Sequence, residues 1–211
     1  MAHEVGGFGS RWLMWLGMCA LMMAPVVLPW LRAVARLARA EHGGGRLPPV
    51  SGFALGYVVA WASFSAAAAA VQGLVAAHAF PGPWIADAPI LAGSALVLAG
   101  GFQFTRLKEA CLSHCRSPLG YLLAHWRPGL AGAWSLGLRH GAFCLGCCWA
   151  LMALALVTGA MEPLAMGLLA ALMLGETLAP GGLRLVRPIG LALVLAGLAL
   201  VARSVFVPTP G

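Results

Sequence analysis

The sequence predicts an all-α protein: a polytopic membrane helical bundle of about six transmembrane helices, forming one integral domain over residues 1–211. Three observations carry that expectation. Of 211 residues, 61% are hydrophobic and only 9% charged, against about 25% charge in an ordinary soluble domain; the mean hydropathy is +0.90. Apolar runs near the ~20 residues needed to cross roughly 30 Å of hydrocarbon recur along the whole chain. Lys and Arg gather in alternate loops, as in membrane proteins of fixed orientation.

The spans are expected at about 12–31, 50–77, 88–105, 133–160, 162–179 and 188–206. Pro81, Gly82 and Pro83 break the chain between the second and third; Arg127, Pro128 and Gly129 precede the fourth; Pro180, Gly181 and Gly182 close the fifth, all turn formers. Arg32, Arg36, Arg39 and Arg46 fall in the first loop. Arg106, Lys108, Arg116 and Arg127 fall in the third, with Arg139 at the start of span four, and Arg184 and Arg187 fall in the fifth. The second and fourth loops carry no Lys or Arg, and only Arg11 and Arg203 lie on the other side. The positive-inside rule then makes the odd loops cytoplasmic and both termini periplasmic, in a bacterial inner membrane. The net charge of +7 reflects this loop bias, and no nucleic-acid partner is expected. The apolar run after Arg11 has the look of a signal peptide, but the Arg-rich residues behind it fit a retained helix.

The residues that carry chemistry are thiols and imidazoles. Six cysteines are too few and too unevenly placed for a disulfide scaffold. In "HGAFCLGCCWALM", a turn of about 100° per residue puts His140, Cys144, Cys147 and Cys148 within about a 100° arc, with Met152 continuing the stripe. In "KEACLSHCRSP", a helix would place Cys111, His114 and Cys115 on one face, ending at Ser117 and Pro118. This segment belongs to a non-spanning cytoplasmic stretch of about 106–132, so both clusters are expected at the cytoplasmic membrane face. Soft thiolates select Cu(I), zinc or iron–sulfur clusters, and imidazole suits zinc and copper. Buried cysteines also serve simply as small hydrophobes, the ordinary reading for Cys19. A disulfide is disfavoured on the reducing side.

Weaker candidates surround these. Met14, Met18 and Met22 recur at spacing four, with Met23 beside them. Packing explains such a stripe, and so does a path for Cu(I), which thioethers bind better than zinc. Glu176, near the cytoplasmic end of span five, is either an outer partner of a ligand histidine or a residue reaching the headgroups. His125, in "LLAHWRPG", is a further candidate ligand. Gly52 and Gly56 have the small-xxx-small spacing of closely packed helices.

"LKEACLSHCRSP", "HWRPG", "GLRHGAFCLGCCWALM", "MEPLAM" and "GETLAPGG" appear in that order. The chain resembles the bacterial family described as predicted metal-binding integral membrane proteins, long a domain of unknown function, which includes a copper chaperone linked to a tyrosinase. The resemblance runs from "MMAP" in span one to residue 182. It implies metal binding at Cys111, His114, Cys115, His140, Cys144, Cys147 and Cys148, and a Met-rich first span matched by Met22 and Met23. The chain departs from the family at Glu162 and Thr177, where Asn-like and Lys-like residues are expected.

The expectation that follows is a non-enzymatic membrane protein that binds Cu(I), with zinc as the other metal, and hands it to a copper enzyme or a soluble copper-binding partner. A membrane thiol–disulfide oxidoreductase using Cys144 and Cys147, and an accessory subunit of a larger membrane complex, are the alternatives. No carboxylate pair, phosphate loop or Ser/His/Asp set suggests catalysis, and no paired broken helices or repeats suggest a secondary transporter.

Overall fold

The computed structural model describes residues 7–42, 47–77, 89–158 and 163–206, and among them every regular element is helical. In chain order these are α1 (Phe8–His42), α2 (Leu47–Ala77), α3 (Pro89–Phe102), α4 (Arg106–Arg116), α5 (Pro118–His125), α6 (Gly129–Thr158), α7 (Pro163–Leu178) and α8 (Gly182–Phe206). The expected breaks at Pro81–Pro83, the first-loop Arg46, Glu162 and both chain ends lie outside the described residues.

Among the described residues, four helices are long and apolar enough to cross a membrane, within Phe8–Ala40, Pro49–Leu74, Gly129–Ala155 and Gly182–Phe206. A fifth crossing needs α3 and α4 together, which are bent by 65° at the break between them. Each of the six expected apolar runs has its helix, but among the described residues length and composition support four crossings, or five with the bent pair, against the expected count of about six. With 16 residues, α7 rises about 24 Å, and α3 alone about 21 Å, short of a hydrocarbon core of about 30 Å. α1 runs past the expected end at residue 31, taking in Arg32, Arg36 and Arg39, because Arg is a good helix former and nothing in that stretch breaks a helix.

The chain divides into two compact units, residues 1–74 with 114–145, and residues 75–113 with 146–211. The division falls inside α4 and inside α6.

In the first unit, α2 and α6 meet through small residues. A Cβ at Gly56 would collide with the Trp134 carbonyl, and one at Gly137 with the Phe53 carbonyl. At Gly52 it would lie 2.8 Å from Leu130 O, and at Gly141 2.6 Å from the Ala60 Cβ. The expected spacing on α2 is thus answered on α6 by Ala133, Gly137 and Gly141, again four apart. α1 is pinned to α2 by two indoles: Trp12 Nε1 donates to Ala62 O (3.1 Å) and Trp15 Nε1 to Gln72 Oε1 (2.8 Å). The core gathers Trp30, Ala33 and Val34 of α1 with Phe53, Leu122, Ala133 and Leu136. α6 begins at Gly129, whose φ of 87° is a left-handed conformation that glycine adopts without strain.

In the second unit, α3 and α8 form a similar seam. A Cβ at Gly93 would lie 2.7 Å from Gly197 O, and one at Gly100 2.7 Å from Gly190 O. Thr105 starts α4 after the bend: its hydroxyl accepts from Lys108 N at 3.2 Å, satisfying one of the amides a helix start leaves bare. Away from these seams the helices expose large apolar side chains, among them Leu183, Leu191, Leu195 and Leu198 on α8, Ile90, Leu91 and Leu98 on α3, and Leu13, Leu21 and Leu28 on α1.

The seams generate a prediction. Gly56→Leu or Gly137→Leu forces backbone apart and is expected to cost about 1–3 kcal/mol or more, read as a lowered unfolding temperature in detergent. Gly17→Ala, where an added Cβ meets nothing within 4 Å, is expected to gain about 0.5–1 kcal/mol by raising helix propensity.

Candidate metal centre

The segment Arg106–Arg116 is helical, so Cys111 and Cys115 sit one turn apart on α4. On α6, His140, Cys144 and Cys147 follow at one-turn intervals. All of these cysteines, and Cys148, are buried.

Within the first unit, Cys115 and Cys144 bring their sulfurs within 4.8 Å of each other. The Cys144 thiol donates to Met23 Sδ at 3.8 Å and lies 3.7 Å from the Tyr57 hydroxyl. Trp30 Nε1 donates to the Cys115 carbonyl at 3.0 Å. One turn further along α6, the Cys147 sulfur also lies within 4.8 Å of Cys144. Sulfurs held by one ion at about 2.3 Å stand about 4 Å apart, so each pair closes to ligand spacing with a small side-chain rotation. Among the described residues, no histidine or carboxylate joins these cysteines in a group of that compactness.

The two histidines are held differently. His140, 0% exposed, stacks on Trp30 with ring centroids 3.9 Å apart, between Phe53 at 5.8 Å and Tyr57 at 5.5 Å. His114 stacks on Phe143 at 4.1 Å and meets the Tyr121 ring edge-on at 4.1 Å. Their centroids are 5.9 Å apart.

Within the second unit, Cys111 packs on Gly146: a Cβ there would lie 2.8 Å from its sulfur. Lys108, read from sequence as a loop cation, is instead 1% exposed. Its ammonium donates to Glu176 Oε2 at 2.6 Å and to the Cys147 carbonyl at 2.6 Å. Glu176 Oε1 accepts from Gln103 Nε2 at 2.7 Å. Glu176 therefore does not reach for headgroups: a buried carboxylate demands a partner, and Lys108 and Gln103 supply it.

Of the remaining candidates, Met22 and Met152 are buried, Met14 and Met18 half-buried, and Cys148 is buried outside the compact group. His125 is exposed; its Nδ1 lies 3.2 Å from Tyr121 O and its ring stacks on Tyr121. Sequence reasoning missed Trp30, Tyr57, Lys108 and Gln103. For Trp30 a signal was present: it lies seven residues beyond Met23, two turns along the same face of α1.

Gathered thiols with an adjoining thioether, set on long apolar helices, define a class of helical proteins that handle a soft metal ion. A family model described as PpoB2, copper chaperone, matches residues 12–200, and the chain belongs to that family. No curated protein and no solved structure matches it significantly.

The contact between Cys144 and Met23 makes the methionines separable. Met23→Leu is expected to weaken Cu(I) binding by about tenfold or more, the scale on which neighbours of metal ligands act, whereas Met14→Leu and Met18→Leu leave it unchanged. Competition titration against a Cu(I) chelator reads both.

Proposed function

We propose that the protein binds Cu(I) through Cys115, Cys144 and Cys147 and delivers it to a copper enzyme or a soluble copper-binding partner. It resides in the bacterial inner membrane with the thiols at the cytoplasmic face. Copper is the cargo, and no chemical transformation is required of the chain.

The observation that carries this reading is the donor set: sulfurs within 4.8 Å on neighbouring ligand positions, extended at Cys144 by the Met23 thioether. Three thiolates suit Cu(I), which accepts low coordination by soft donors. Zinc in a structural site takes four ligands, one more than the three gathered sulfurs. Membrane residence is supported by the helices long and apolar enough to span and by their exposed Leu and Val faces, which in water would be an extensive apolar surface. The cytoplasmic placement rests on the Lys and Arg distribution.

Delivery follows from ligand exchange. Cu(I)–thiolate bonds are exchanged, not broken into water: an incoming thiolate or thioether from a partner adds to the ion as one cysteine leaves, with no change of oxidation state. Met23 offers a neutral sulfur beside Cys144, so the ion keeps soft donors as its thiolate set changes.

Metal content and X-ray absorption of protein purified without oxygen test the proposal. Copper surrounded by sulfur, about three atoms, is the expected result, and the combined C115S, C144S and C147S substitutions are expected to abolish it while the helices remain. Copper and zinc at background with the thiols intact would sink the reading.

A further inference from the structure

We infer that Lys108 is a positioning residue for the copper site, acting on Cys147 through that residue's main-chain carbonyl, with Glu176 and Gln103 holding the ammonium in place. The inference rests on the Cu(I) reading above.

A lysine buried to 1% exposure is costly unless its charge is paired. Glu176, at 2.6 Å, supplies that pairing. Yet the ammonium also donates to the Cys147 carbonyl at 2.6 Å. That carbonyl lies in the interior of α6, where the amide four residues on is its regular partner. The helix therefore does not need the lysine at this point; the bond's effect is to fix the turn that carries the Cys147 thiol. The ammonium is itself fixed. Gln103 donates to the second Glu176 oxygen at 2.7 Å, so the carboxylate is clamped from two sides. The partner on that side is an amide, which leaves the ion pair neutral as a whole.

The chemistry gives this arrangement a use. One Cu(I) and three thiolates sum to a charge of about −2 in a region of low dielectric, where a fixed cation nearby offsets part of that charge. Lys108 is on α4, seven residues before Cys115, so it lies two turns along the same helical face. One helix thus carries both a thiol of the site and the cation held against the Cys147 turn of α6. Metal ligands are ordinarily oriented by hydrogen bonds to their side chains; here the hold is on the backbone of the ligand residue.

K108M alone strands the Glu176 carboxylate and risks the fold, because an unpaired buried charge is strongly destabilising. The double variant K108M/E176Q removes both charges, keeps an acceptor for Gln103, and removes the donor on Cys147. The expected result is a protein with wild-type helicity and monodispersity. Its Cu(I) X-ray absorption spectrum should fit about two sulfurs in place of about three, with affinity lowered ~10–100-fold, the range for groups that orient metal ligands. Wild-type protein measured alongside reads the site itself: no copper–sulfur coordination there removes the site and this role together. With that coordination intact, a folded double variant that keeps the wild-type spectrum and affinity overturns the role of Lys108 and leaves the copper site standing.

Discussion

The backbone of α2 meets that of α6 at Gly56 and Gly137, where even a methyl group has no room, and the first unit takes its geometry from that contact. Tyr57 follows Gly56 directly, and Cys144 lies two turns beyond Gly137. The hydroxyl therefore reaches the thiol at 3.7 Å because the helix axes are as close as backbone allows. In the membrane proposed above, apolar side chains would gain little by leaving lipid for protein, so close van der Waals contact and interhelical hydrogen bonds would do the holding. Small residues at four-residue spacing on both helices are what make that contact continuous.

Around this seam the site is walled with aromatic rings. Trp30 stacks on His140, donates to the Cys115 carbonyl, and packs against Phe53. A single side chain from α1 thus touches the backbone of one ligand-bearing helix and the side chain of the other. Such a wall excludes water, and thiol, thioether and ion interact more strongly without it. It also holds the His140 ring, stacked at 3.9 Å, in one orientation, while a thiol turns about one bond.

Much of this was legible. Helical arithmetic on "CLSHC" and "CLGCC" located the thiols on two helices and on matching faces, and the Gly52–Gly56 spacing announced close packing. Other parts were not, for identifiable reasons. Lys108 stands in a basic stretch, where solvated loop cations are the ordinary reading, and its partner Glu176 is 68 residues away. The Met14–Met18–Met22 stripe repeats at helical spacing, yet Met23, about 100° round the helix from Met22, is the one against Cys144. The helix of span five is as apolar as expected but too short to cross a bilayer upright; hydropathy reports composition well and length poorly where turn residues flank the run.

The α3–α8 seam has a mechanical consequence. Its contacts repeat at Gly93 and Gly100 on one helix and at Gly190 and Gly197 on the other, seven residues apart in each case. Sliding one helix along the other by a single turn would drive Val194 and Val201, already against those glycines, into backbone. The pair therefore behaves as one plank with no sliding freedom. Strain arriving from α4 meets a stiff neighbour, and the short turn at Gln103–Thr105 passes it on, because Gln103 is tied to Glu176 and the Thr105 hydroxyl to both Phe102 O and Lys108 N.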